Sequence, residues 1–203
     1  MRIGIMGGTF DPIHLGHLFI AEDARVRLSL DVVHFIPNGS PPHKSSLEII
    51  PSHHRYEMVR LATDANPYFV CNDIEMNRIG PAYAIDTLEQ FKADFQDSQL
   101  FFVTGLDAVT EITSWKRYHD VMELASFVVA TRPGFHRSSL LSRLPDVYLS
   151  RIEIIESIGL DISSTQVRER IASGLTVRYL VPDEVLDYID QQGLYGPEIG
   201  AQV

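Results

Sequence analysis

An open, doubly wound α/β fold with a mostly parallel sheet, helices on both faces and a helical C-terminus is predicted from three features of the sequence. Short apolar runs rich in β-branched and aromatic residues alternate with segments whose apolar residues recur every three or four positions. The first run is closed at once by glycines and leads directly into a helical pattern. The 203 residues, 45% hydrophobic and 22% charged, fit a single domain spanning 1–203. A chain of that size buries roughly 70% of its unfolded surface and needs no staples.

In chain order, Arg2-Ile3-Gly4-Ile5-Met6 reads as a buried strand ended by Gly7-Gly8. Leu18, Ala21, Ala24 and Leu28 then put one apolar face on a helix from about His17. Val32-Val33-His34-Phe35-Ile36, bounded by Pro37-Asn38-Gly39, is the next strand. Met58, Leu61, Ala62 and Ala65 mark a helix, Tyr68-Phe69-Val70-Cys71 a strand, and Ile85, Leu88, Phe91 and Phe95 another helix. Gln99 to Thr104, Ser126 to Ala130 and Arg151 to Ile155 are three further strands. The last 30 residues are expected to be helical, with Pro182 in a first turn, Asp183 and Glu184 beside it to suit the helix dipole, and Gly193 just past the end. Two loops are long for such a fold, 37 to about 51 and 131 to about 138, and long loops in compact domains are often functional. No internal repeat or low-complexity tract interrupts the pattern.

The net charge of −10 and a pI of about 5.2 argue against broad binding to nucleic acid or anionic lipid. A small anion needs only a few local donors, so it stays allowed. One thiol, Cys71, rules out an intramolecular disulfide, a CxxC pair and a Cys-based zinc site, and points to a reducing cytoplasm. The N-terminal strand lacks the apolar core of a secretory signal, and no apolar run approaches the roughly 18 residues of a membrane span. A cytoplasmic protein with no membrane partner is expected. No stretch of sequence identifies an oligomeric interface.

Ligands of open α/β sheets bind beyond the carboxyl ends of the strands, often at the glycine turn after the first. Here the turn reads Gly7-Gly8-Thr9-Phe10-Asp11-Pro12-Ile13-His14-Leu15-Gly16-His17, which is neither G-x-G-x-x-G nor a Walker A loop. It offers backbone that can approach a ligand and two imidazoles at a helix entrance. The histidines allow three readings: metal ligands, for which a third ligand is wanting; structural caps; or imidazolium donors to phosphate, whose charge would favour the cationic form. A second segment, Ile162-Ser163-Ser164-Thr165-Gln166-Val167-Arg168, contains a capping-box spacing at Ser163 and Gln166. Three hydroxyls followed one turn later by a guanidinium also make a good anion site. Trp115 reads either as core filler or, just after a strand end, as a ligand contact.

Together, Gly8-Thr9-Phe10-Asp11-Pro12-x-His14-x-Gly16-His17 and Ile162-Ser163-Ser164-Thr165-x-x-Arg168 resemble the paired signatures of the nucleotidylyltransferase superfamily. Within it the chain most resembles the bacterial nicotinate-nucleotide adenylyltransferases, over nearly its whole length to about Tyr195. Pro41-Pro42-His43-Lys44, the Arg55 to Ala62 segment, Tyr83 through Leu88, Gly105-Leu106-Asp107-Ala108 followed by Trp115, and Tyr179-Leu180-Val181-Pro182 carry that likeness. One departure stands out. The family usually has Ser-Tyr-Thr where this chain has Ala82-Tyr83-Ala84, which removes a hydroxyl near the pyridine carboxylate and leaves backbone N–H groups to serve.

The resemblance implies a Rossmann-like fold, with 162 to 195 completing the ATP site, and transfer of AMP from ATP to nicotinate mononucleotide with release of pyrophosphate. It implies His17 on the α-phosphate, His14 on the phosphate chain, and Lys44, Ser163, Ser164 and Arg168 shared between leaving pyrophosphate and loop closure. His17, His14, Lys44 and Arg168 form the implied catalytic set. Gly8, Thr9, Phe10 and Ile162 complete the ATP contacts, and Gly7, Lys44, Tyr83, Ala84, Thr87, Gly105, Asp107 and Trp115 the acceptor contacts. Trp115 would stack on the pyridine, and Asp107 would accept ribose hydroxyls. Mg2+ is expected to be held by the ATP phosphates, with no dedicated protein ligand. A phosphopantetheine adenylyltransferase shares the end motifs but is shorter and lacks the Gly105 to Trp115 pattern. A non-catalytic nucleotide sensor would not need His14, His17 and Arg168 as transition-state donors.

Overall fold

The computed structural model describes residues 1–39, 49–78, 80–131, 146–156 and 160–196. Six strands form one sheet: β1 Arg2–Gly8, β2 Val32–Pro37, β3 Phe69–Cys71, β4 Gln99–Gly105, β5 Ala125–Thr131 and β6 Ile152–Glu156. Their spatial order is β3-β2-β1-β4-β5-β6, and every pairing among them is parallel. The chain builds outward from β1 to β3, then returns to place β4 on the other side of β1. That reversal opens a crevice beyond the carboxyl ends of β1 and β4, where such sheets bind ligands.

Seven helices are described: α1 Leu15–Arg27, α2 Ser52–Thr63, α3 Ala84–Asp94, α4 Leu106–Thr110, α5 Tyr118–Leu124, α6 Ser164–Ala172 and α7 Asp183–Gln192. Alternation along the strands sorts the core into two layers. Met6, Val33, Phe35, Phe101, Val103 and Val128 face one way and bury α1, α2, α6 and α7 through Ala21, Met58, Val167 and Val185. Ile3, Ile5, Phe102, Phe127 and Val129 face the other and bury α3, α4 and α5 through Ile85, Leu88, Val109 and Val121. β1, β2, β4 and β5, largely buried on both faces, read as continuous apolar runs, while the edge strands β3 and β6 leave Val70, Glu153 and Glu156 exposed.

The differences from expectation are local. β1 extends through Gly7 and Gly8, which pair with Ile36 and Pro37 rather than forming the turn. α4, α5 and the 3-10 turn Ile112–Ser114 between them were not anticipated, because five- and seven-residue helices carry too few periodic positions to stand out. The helical C-terminus is two helices, and Pro182 is the N-cap of α7 instead of lying inside it. Gly193 closes α7 in the left-handed conformation, φ 62°, as expected. Most of both long loops lies outside the described residues, and with them Lys44. Among the described residues, no helix is long and apolar enough to cross a membrane.

Candidate active site

The loop from β1 to α1 is held by packing at its glycines. A Cβ on Gly8 would lie 3.0 Å from the Phe10 ring, and one on Gly16 would lie 3.0 Å from His14 Nδ1. A side chain at either position would have to push the neighbouring ring aside by a few tenths of an ångström, so glycine suits both. Phe10 itself takes a left-handed φ of 49°, which turns its ring inward until it is buried and meets His17 edge to face at 5.1 Å.

His14 is the N-cap of α1 and His17 sits one turn inside, which stacks the two imidazoles at 3.7 Å with 22° between planes. The His14 backbone N–H donates to His17 Nδ1 at 3.3 Å. An accepting Nδ1 leaves the neutral ring's proton on Nε2, so His17 can donate from that atom. His14 Nδ1 is buried with no hydrogen-bond partner in the described structure.

Burial holds both rings neutral. It pulls His14 down to about 4, a backbone hydrogen bond opposing it slightly, and pulls His17 well below its ordinary range, with repulsion from His14 adding to the effect. Of the three readings of the pair, the cationic one therefore needs an anion against the rings, because desolvation otherwise disfavours the charge. A stability consequence follows. The unfolded His14 protonates near 6.5 and the folded one only near 4, so the unfolded chain binds the extra proton between these values and stability falls as pH drops through that window. Denaturant unfolding at pH 7.5 and pH 5 should show the wild type losing about 2 kcal/mol more than His14→Asn across the interval. Equal losses would remove His14 as the cause.

Four residues from distant segments stitch the loop in place. Arg55, fully buried on the apolar side of α2, donates to Thr9 O (2.8 Å), Asn38 Oδ1 (3.2 Å), Gly39 O (3.1 Å) and Ile50 O (3.3 Å). Arg168 donates to Asp11 O at 2.8 Å and lies 3.8 Å from Asp11 Oδ2. The Ser164 hydroxyl donates to Pro12 O (2.9 Å), and Tyr195 donates to Asp11 Oδ1 (2.7 Å). Burial, then the Asp11 charge, pushes the Tyr195 phenol up, so it remains a donor.

The two motifs, some 150 residues apart in the chain, are therefore in direct contact. Here Ser164 and one Arg168 nitrogen donate to the loop, while another Arg168 nitrogen donates to Thr165 Oγ1 at 3.3 Å. Ser163 is the N-cap of α6, accepting from the Gln166 N–H while Gln166 Oε1 accepts from the Ser163 N–H, so its capping-box reading is realised. Ile162 packs against the core beside α1, near Gly16.

A cavity of about 320 Å³ opens beside this loop at the carboxyl ends of β1, β2 and β4. It gathers Gly7, Gly8, Tyr83, Ala84, Thr87 and Trp115 from the sequence-predicted set. Trp115 meets Phe102 at 5.7 Å and Phe127 at 6.4 Å, both edge to face, while also lining the cavity. It is core and wall at once. The first turn of α3 borders the cavity through Tyr83 and Ala84, and Tyr83 caps it with no side-chain hydrogen bond. Gly105 is the N-cap of α4 and is exposed rather than lining the cavity, and Asp107 lies within α4.

Thr87 lines the cavity with its hydroxyl already engaged. Its buried hydroxyl donates to Glu75 Oε1 at 2.5 Å and accepts from Arg78 at 3.0 Å. Burial pushes the Glu75 carboxyl up, with the Thr87 hydrogen bond and Arg78 opposing. Arg55, Tyr195, Glu75 and the cavity residues Asn38 and Lys116 were not predicted as site residues. Arg55 had a signal, a charged residue in register with Met58 and Val59 on an apolar face. Glu75 had none.

Comparison with known proteins agrees with this geometry. The cytidylyltransferase-like family model matches residues 5–170. A probable nicotinate-nucleotide adenylyltransferase of Thermoanaerobacter sp. (strain X514) is 44% identical over 96% of this chain and 94% of its own length. One from Corynebacterium glutamicum is 41% identical over 97% and 89%. The solved Plasmodium falciparum nicotinic acid mononucleotide adenylyltransferase complexed with NaAD shares the fold, with TM-score 0.78 and 21% identity over 96% of this chain and 97% of that one. With a site built on the same two motifs and relatives matching end to end, the chain belongs to the nicotinate-nucleotide adenylyltransferase family, within the cytidylyltransferase-like proteins.

Proposed function

We propose that the cavity holds the pyridine end of nicotinate mononucleotide while the His14–His17 pair receives the ATP triphosphate, so that the chain transfers AMP to the acceptor. The products are nicotinate adenine dinucleotide and pyrophosphate, a step of NAD biosynthesis, in the cytoplasm. One observation carries the reading. Gly8 lines the cavity and is touched by the Phe10 ring, whose neighbour is His17, so the acceptor pocket and the histidine pair share a wall.

An oxygen of the acceptor's 5′-phosphate attacks the α-phosphorus in line. The new P–O bond forms as the bond to the bridging oxygen of the leaving pyrophosphate breaks, and that oxygen keeps the electron pair. A phosphate monoester has a second pKa of about 6, so the nucleophile is already ionised and no general base is needed. The protein's task is placement and charge stabilisation. His17 Nε2–H donates to the α-phosphate, and His14 and Lys44 serve the phosphate chain. Ser163, Ser164 and Arg168 stand at the N-terminus of α6, a favourable place for phosphate, and turn to the leaving group on closure. Segment 162 to 195 completes the ATP site within one domain spanning 1–203, a reading supported by the packing of α6 and α7 on the core behind β1.

The described residues do not make a protein cage for a metal, since no three His, Cys, Asp or Glu are grouped to hold one. The proposal is Mg2+ carried in on the triphosphate, where it would supply charge neutralisation. The test of the whole reading is pyrophosphate release from ATP, which should depend on nicotinate mononucleotide and not on phosphopantetheine. Trp115→Ala should raise KM for the mononucleotide roughly tenfold through lost ring contact. An unchanged KM would leave Trp115 a packing residue.

A further inference from the structure

We propose that Lys116 is a specificity-determining residue that selects a pyridine carboxylate over the corresponding carboxamide in the acceptor cavity. The proposal rests on the reading of that cavity as the acceptor's. Its physical basis is charge, because the neutral donors of the wall, among them Tyr83, Thr104, Ser114 and Trp115, can serve a carboxylate oxygen and a carboxamide oxygen alike. Ala82 and Ala84, which line the cavity, have no polar side-chain atom to offer. The Thr87 hydroxyl gives its proton to Glu75 and receives one from Arg78, so it has no proton left for a ligand. Asn38 Oδ1 accepts from Arg55, and its neutral amide N–H groups do not tell a carboxylate oxygen from a carboxamide oxygen. The acidic groups of the wall, Glu75 and Glu111, repel a carboxylate, and Lys116 is the one cationic side chain among the described lining residues.

The position of Lys116 suits this role. It follows Trp115, whose ring is fixed against Phe102 and Phe127, so its backbone is anchored beside the surface on which a pyridine would stack. Its Nζ lies 4.3 Å from the Tyr83 ring centroid and 3.5 Å from Asp86 Oδ2. Both partners belong to the entrance of α3, where free backbone N–H groups favour a carboxylate. The Asp86 contact is half exposed and so weakly held, which allows Nζ to exchange Asp86 for a bound carboxylate at little cost. A carboxamide in the same place would bring no charge for Nζ to match. Discrimination would then arise where a fixed cation meets the one atom group that differs between the two acceptors.

The experiment uses the full chain as wild type, Lys116→Met and Lys116→Arg, with pyrophosphate release measured at saturating ATP. KM is determined for nicotinate mononucleotide and for nicotinamide mononucleotide; where the latter turns over too slowly, its inhibition constant against the former serves. Lys116→Met should raise KM for the nicotinate form roughly tenfold, leave the constant for the nicotinamide form within about twofold, and leave kcat nearly unchanged, while Lys116→Arg recovers most of the loss. Equal changes for both acceptors, or none for the nicotinate form, would overturn the proposal. Wild type that releases no pyrophosphate with nicotinate mononucleotide would instead sink the reading of the cavity, and the selectivity proposal with it.

Discussion

Replacing His17 with alanine should lower kcat by roughly 10²-fold or more while moving KM for either nucleotide only a few-fold. The expectation comes from the tautomer. His17 Nδ1 is occupied by the His14 N–H, so the ring is oriented before substrate arrives and Nε2–H is the atom left to donate. A donor placed in advance in a desolvated site costs no reorganisation when charge develops on the α-phosphate. Phe10 and His14 hold the ring on two sides, so it has little rotational freedom to lose. Steady-state pyrophosphate release decides the matter, and near-normal turnover would remove His17 from the chemistry. His17→Gln, which keeps an N–H donor, should fall between the two.

Arg55→Met should destabilise the fold by about 3 kcal/mol, because it strands buried acceptors that one guanidinium now satisfies. The four acceptors belong to three segments: the loop after β1, the end of β2, and the approach to α2. Lysine should not rescue it, since an ammonium cannot reproduce the planar fork. Denaturant melts of the three proteins check this, with the midpoint expected to fall at unchanged slope. A loss under about 1 kcal/mol would mean the acceptors find other donors. The variant that folds should also turn over more slowly, because Thr9 and Gly39 directly follow Gly8 and Asn38, which line the cavity.

Most of the sheet was legible because its four inner strands are largely buried on both faces and so appear as apolar runs, Gln99 to Thr104 the clearest of them. α1 and α3 were legible by their spacing at Ala21 and Ala24 and at Ile85, Leu88 and Phe91. α4 and α5 were not, being shorter than the two turns a period needs to declare itself. Trp115 could not be resolved between core and ligand wall by sequence because it is both, one edge on Phe102 and Phe127 and the rest on the cavity. Thr87 was legible as a pocket residue, but its hydrogen-bond partner, Glu75, is twelve residues away on a loop with no periodic signal.

The sequence by itself determined the α/β class, the place of the ligand crevice and the two motifs that flank it, because local spacing and turn chemistry are written in neighbouring residues. What only the tertiary structure decided was how the chemistry-bearing groups are spent. It turned Arg168 and Ser164 onto the backbone of Asp11 and Pro12, buried Arg55 under the same loop, and took Thr87 for Glu75. It also set the protonation of the histidines. A lone sequence offers imidazoles near their ordinary pKa, and their neutral form follows from desolvation by residues far apart in the chain.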